Sequence, residues 1–116
     1  IGAGGVHLGQ GDLPPAAVRR LVGAGVVIGL SCATPDEVEQ ALADAAVDEL
    51  SVGPVFSTPI KPDARAVGLD LVRRAAGRGK PVAAIGGIGR AGLSAVLDAG
   101  ADWAAMIRGV RETLGA

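Results

Sequence analysis

The stretch PVAAIGGIGRAGLSAVLDAGAD, residues 81–102, holds one complete structural unit and decides the fold. Pro81–Ile85 is a short apolar run with little polar alternation, as expected of a strand covered on both faces. Gly86-Gly87-Ile88-Gly89 ends that run. From Arg90 to Ala99 the residues Leu93, Val96 and Leu97 fall at helical spacing, and Gly100 stands where a helix C-cap belongs. Asp102 then opens another apolar run. Strand, turn, helix and strand together predict a parallel pair joined by a right-handed crossover.

The same unit recurs in both directions. Strands are expected over Gly5–Leu8, Val26–Leu30, Leu50–Phe56, Pro81–Ile85 and Asp102–Ile107. Helices are expected over Pro15–Gly23, Pro35–Ala46, Leu69–Arg78 and Arg90–Ala99. Thr34 before Pro35, with Glu37 three residues on, is a helix start, and Val38, Ala41, Leu42 and Ala45 give that helix one apolar stripe. Strand starts recur every 21 to 24 residues or so, except that Leu50 to Pro81 contains a surplus, Ser57–Val67. A long connection in an otherwise terse array marks function, and this one carries Thr58 and Lys61. With 116 residues, 49% of them hydrophobic, residues 1–116 make one domain with one core.

Composition excludes several classes. Eleven basic and 12 acidic residues leave a formal charge of −1, so no basic field invites nucleic acid. Phe56 and Trp103 are too few aromatics for a single-strand stacking surface. The lone Cys32 cannot form an internal disulfide and fits a reducing cytosol. Mean hydropathy is +0.42, yet no apolar stretch approaches the roughly 18 residues of a membrane span, and no signal-peptide pattern opens the chain. The expectation is a soluble cytoplasmic protein with no membrane partner.

Position then singles out the chemistry. Gln10 and Asp12 follow the first expected strand, Ser31 the second, Thr58 and Lys61 the third, Gly86–Gly89 the fourth, and Arg108–Gly109 the fifth. In a parallel sheet all of these gather at the C-terminal edge, where α/β proteins bind ligands. Glycines in the 86–89 turn let backbone N–H groups approach an anion at a helix N-terminus, or simply allow a tight turn. Asp12 suits a magnesium ion facing a diphosphate, or a helix N-cap. Lys61, stiffened between Pro59 and Pro62, suits phosphate oxygens, or solvent. His7, flanked by Val6 and Leu8, reads as a hydrogen-bonded core histidine. Gly87-Ile-Gly89-Arg-Ala-Gly92 also spells the dinucleotide spacing, with Arg108 where NADP's extra phosphate would need a cation. The oxidoreductase it implies is the remote alternative, because a dinucleotide fold normally begins with that motif.

Gly5-Val-His-Leu-Gly-Gln-Gly-Asp12, Ile28-Gly-Leu-Ser31, Val52-Gly-Pro-Val-Phe-Ser-Thr-Pro-Ile-Lys-Pro62, Gly68-Leu69, Pro81-Val-Ala-Ala-Ile-Gly-Gly-Ile88 and Ala99-Gly-Ala-Asp102 occur in this order. In that order they resemble the thiamine-phosphate synthase family, which includes the related thiazole tautomerases. The resemblance implies a partial TIM barrel, a parallel (β/α) array of about five βα units from the back of the family's barrel, its third-to-eighth strand region. It also implies a magnesium-dependent transferase that joins hydroxymethylpyrimidine diphosphate to thiazole phosphate and releases pyrophosphate. By motif position Asp12 would be a magnesium ligand. Ser31 and Lys61 would hold the diphosphate and carry the catalytic charge stabilisation. Thr58, Ile60, Gly87, Ile107 and Arg108 would contact the thiazole phosphate.

Three positions depart from the family pattern. Ile60 replaces the second threonine of the Thr-x-Thr-Lys loop, Ala33 replaces a histidine on which tautomerases depend, and Arg108 replaces a frequent serine. The family's Gln-x-Arg-x-Lys segment and Asn-Asp pair, from earlier strands, have no counterpart in these 116 residues. The expectation is therefore weak or no activity alone, with self-association or pairing with a missing N-terminal half. A non-catalytic phosphate-binding barrel fragment is the alternative.

Overall fold

The computed structural model describes residues 4–56 and 66–105. Strands and helices alternate: β1 (Gly5–Leu8), α1 (Pro15–Val22), β2 (Val27–Cys32), α2 (Pro35–Ala43), β3 (Glu49–Val52), α3 (Gly68–Ala75), β4 (Val82–Ala84), α4 (Arg90–Asp98) and β5 (Trp103–Ala104). The five strands form one sheet in sequential order, and every neighbouring pair is parallel. Sequential order with crossovers of one hand puts the helices on one face. This is a partial β/α barrel. Among the described residues the strand order has no reversal of the kind at which dinucleotides bind, so the Gly87–Gly92 spacing sits in the wrong topology for that role.

Strand register explains which face the helices cover. Leu8 pairs with Leu30, Leu30 with Leu50, and Leu50 with Val82, making one apolar row across four strands. All four are buried, Leu50 and Val82 completely, and they join Val18, Val38, Leu71, Val72 and Val96 from the helices in a single core. Each fully buried aliphatic side chain contributes about 1.5–3 kcal/mol of transfer free energy. The period of two then sends the intervening residues to the concave face. There His7 pairs with Gly29 and Gly29 with Glu49, while Ser31 pairs with Ser51, Ser51 with Ala83 and Ala83 with Trp103.

Element ends differ from expectation for local reasons. Thr34 accepts from the Glu37 N–H at 3.1 Å while the Glu37 carboxylate accepts from the Ala33 N–H at 2.7 Å, so α2 starts as its sequence says. It stops at Ala43, short of Ala46. The Asp44 side chain accepts from the Ala46 N–H at 2.9 Å, and Lys80 donates to the Ala41 and Asp44 carbonyls at 2.8 and 2.7 Å. Ala45 is consequently exposed instead of completing the apolar stripe. Helix α3 ends at Ala75 because Ala76 is extended and Gly77 takes a positive φ of 70°. Strand β2 runs on through Ser31 and Cys32, so Ser31 lies inside that strand, not after it.

Two aspartates repeat one device at the opposite, N-terminal edge. Asp48 accepts from the Ile28 N–H and Asp102 from the Val82 N–H, both at 2.8 Å and both 20 residues apart. Arg19 reinforces the first, donating to the Val26 and Ala46 carbonyls at 2.6 and 3.2 Å and to the Asp48 carboxylate at 2.6 Å. The Ile28 N–H bond, helped by the Arg19 guanidinium, holds the Asp48 carboxyl below its ordinary range despite the opposing effect of burial. A carboxyl depressed on folding stabilises above its unfolded value and loses that contribution as pH falls through its folded value. Asp48→Ala is expected to cost about 1–2 kcal/mol in urea unfolding at neutral pH, because the Ile28 N–H loses its partner. The difference from wild type should shrink as pH falls below about 4; a difference that held constant there would show that the carboxylate charge is not responsible.

Candidate functional site

Because all strands point the same way, the segments after β1, β3 and β4 and the end of β2 meet at one edge. After β1 the chain turns sharply. Asp12 accepts from the Gly9 N–H at 2.7 Å through Oδ2, and its own N–H donates to the Gly9 carbonyl at 3.2 Å. Asp12 does not cap α1, whose N-cap is Pro14 with no side-chain bond. Gln10 reaches across to donate to the Ser31 carbonyl at 2.8 Å. The Ser31 hydroxyl meets His7 Nε2 at 2.7 Å. His7 is hydrogen-bonded as expected, but it is exposed on the concave face and not in the core.

Past β3 the backbone keeps bonding to the segment after β4: Val55 N–H donates to the Ile85 carbonyl at 2.9 Å and Phe56 N–H to the Gly86 carbonyl at 3.1 Å. The long connection closes on this base, since Val67 and Gly68 donate to the Pro54 and Val55 carbonyls at 2.7 and 3.0 Å. Thr58, Ile60 and Lys61 belong to that connection and lie outside the described residues, as do Ile107 and Arg108. The connection nevertheless leaves from and returns to the same edge.

The glycine turn is set by close packing. Gly86 and Gly87 have φ of 98° and 67°. A Cβ on Gly86 would sit 2.6 Å from Pro54 Cα, and one on Gly87 2.7 Å from the Phe56 carbonyl oxygen. Tight packing therefore accounts for these glycines without a ligand, yet the turn it makes leads into α4 in a way that suits one. Gly89 caps α4 without a side chain, no acidic residue occupies the first turn, and Arg90 is its first residue. An uncapped helix N-terminus beside a cation favours an anion. A groove of about 740 Å³ borders this end, lined by Phe56, Leu69, Gly87, Gly89 and Arg90 among others.

Other groups are quiet. Burial, with Glu37 nearby, pushes the Cys32 thiol up to about 11, so it stays protonated at neutral pH and is no nucleophile. Ala33 offers no acid–base group, and its N–H serves the Glu37 carboxylate. No three His, Cys, Asp or Glu side chains converge on a metal position among the described residues. Asp12 engages one carboxylate oxygen with Gly9, so the other is the one that could serve a metal ion. No helix among the described residues is long and apolar enough to cross a membrane.

The sequence missed the His7–Ser31 pair and its neighbour Glu49. The signal was present: His7, Ser31, Glu49 and Ser51 alternate with Leu8, Leu30, Leu50 and Val52, the period-two pattern of a sheet with one polar face.

Comparison with known proteins agrees in detail. A family model described as thiamine monophosphate synthase matches residues 1–110. A thiamine-phosphate synthase of Gloeobacter violaceus is 49% identical over 110 residues, covering 94% of this chain and 32% of that protein. One of Acidothermus cellulolyticus is 46% identical over 109 residues, covering 92% of this chain and 51% of that protein. The chain thus spans a third to half the length of these relatives. Among solved structures, a nitroalkane oxidase from Streptomyces ansochromogenes superposes with a TM-score of 0.62 at 28% identity, over 86% of this chain and 32% of that one.

The packing of the turn gives a direct test. Gly86→Ala is expected to destabilise by about 1–3 kcal/mol in denaturant unfolding, from its positive φ and the clash with Pro54. A neutral substitution would show that the turn is not held against the segment after β3.

Proposed function

The chain belongs to the thiamine-phosphate synthase family, and from that premise we propose that it carries the phosphate-handling half of a thiamine-phosphate synthase site. The reaction joins hydroxymethylpyrimidine diphosphate to thiazole phosphate, the thiazole nitrogen capturing the pyrimidine methylene as pyrophosphate leaves. Chemistry of this kind needs charge stabilisation on the leaving group and alignment of two substrates, with little acid–base work. The supporting observation is the convergence of the Asp12 turn, the Ser31 hydroxyl and the Gly86–Gly89 turn at one sheet edge.

Ser31 and Lys61 hold the diphosphate. Thr58, Ile60, Gly87, Ile107 and Arg108 receive the thiazole phosphate, Ile60 without the hydroxyl of a threonine. Asp12 supplies one magnesium ligand, and the ion would neutralise charge on the departing pyrophosphate. A tautomerase-like role lacks its acid–base residue, because position 33 is alanine. The buried reduced Cys32 and the small phosphorylated substrates fit a cytoplasmic setting.

The chain acts together with other polypeptide. Edge strands β1 and β5 each have one unpaired side among the described residues. Val27 and Trp103, on the concave face, are 43% and 47% exposed. Open edges, with Val27 and Trp103 exposed on an otherwise polar face, favour association with a further barrel half or a second copy.

Two measurements test this. With both substrates and magnesium, the 116-residue chain should turn over at least about a hundredfold more slowly than a full-length relative, for want of the diphosphate-binding basic segment. Comparable turnover would refute the division of labour. Calorimetric titration should show binding of pyrophosphate and thiazole phosphate but not NADPH; NADPH binding alone would favour a dinucleotide protein.

A further inference from the structure

We propose that His7 is a positioning residue for Ser31, holding its hydroxyl as a hydrogen-bond donor toward a diphosphate at the rim. The inference rests on the proposed function in one respect, the assignment of Ser31 to the diphosphate.

Ser31 is gripped from two sides. Its hydroxyl lies 2.7 Å from His7 Nε2, and its carbonyl accepts from Gln10 Nε2 at 2.8 Å. Both partners come from β1 or the turn after it, so the position of Ser31 in β2 is tied to the neighbouring strand as well as to its own. Gly29 lies beside His7 in the register of β1 and β2. A Cβ there would sit 3.5 Å from His7 Nδ1 and 3.2 Å from Glu49 Oε1, so His7 and Glu49 flank the same open point. The imidazole has Ser31 at Nε2, and Glu49, the titratable group of β3 on this face, lies across the space above Gly29.

Counting protons assigns the direction of the short bond. A serine hydroxyl carries one proton and a neutral imidazole one, while ionised diphosphate oxygens only accept. If Ser31 donates to Nε2, it has nothing left for the ligand. If Nε2 carries the proton and donates to Oγ, the hydroxyl proton is free to point at a phosphate oxygen. Diphosphate binding and a proton at Nε2 are then linked, each favouring the other. His7 touches no reacting atom; it acts through Ser31.

The chain has a single histidine, so its imidazole signals are unambiguous. With ¹⁵N-labelled protein, sodium pyrophosphate should move Nε2 to the protonated form, and Ser31→Ala should abolish that response and alter the ring signals of the free chain. His7→Ala should weaken pyrophosphate about tenfold. His7→Gln, whose amide N–H reaches the place of Nε2, should recover most of the loss. A purely structural role would lower the thermal stability of His7→Ala and leave pyrophosphate affinity unchanged, and that result overturns the inference alone. If pyrophosphate fails to bind wild type while Ser31→Ala still moves the ring signals, the diphosphate assignment of Ser31 falls, and this role falls with it.

Discussion

The row Leu8–Leu30–Leu50–Val82, packed under the helices, is the constraint from which the other features follow. Four large apolar side chains in register can be buried only if every crossover returns its helix to the same face. Once that face is fixed, pleating leaves no choice for the residues between. His7, Ser31, Glu49 and Ser51 must face the other way, and each strand must end at the same edge. A one-residue slip of β1, β2 or β3 would put a polar side chain under a helix and a leucine on the concave face.

The two edges of the sheet then divide the work. At the N-terminal edge, Asp48, Asp102 and Arg19 satisfy backbone groups where strands begin, a purely structural use of charge. The C-terminal edge is assembled from turns whose own geometry is tightly held: Asp12 on Gly9, and Gly86 and Gly87 against Pro54 and Phe56. Those turns are stabilised by protein contacts, and the glycine turn ends at an uncapped helix start next to Arg90. Structural demand and ligand demand coincide at the glycines, which is why their presence alone does not distinguish the two, and the lack of a side-chain cap or first-turn acid on α4 is shared by α1.

Much of this was legible in the sequence. Glycine and proline punctuate every unit, so the order and type of the nine elements among the described residues follow from spacing, with end points moved by a few residues. The ends moved where side chains intervene, as Asp44 and Lys80 do at the end of α2, because such partners are distant in sequence. The face of the sheet was harder. Short strands rich in small and apolar residues look covered on both sides, and His7 between Val6 and Leu8 looks like core. The register, which sets His7 beside Gly29 and diagonal to Ser31, joins the alternating polar residues of single strands into a polar row. The motifs around Ser31 and Gly87 were readable because family resemblance fixes their order; the bond between Ser31 and His7 was not, since it spans 24 residues.

Backbone amide mapping with inorganic phosphate tests the single rim most directly. Shift changes should concentrate at Gly9–Asp12, Ser31 and Gly86–Arg90, from three different units of the fold, and leave Ile28, Asp48 and Asp102 at the far edge unmoved. Changes centred on that far edge, or scattered over both, would contradict a common anion-receiving edge and the function built on it.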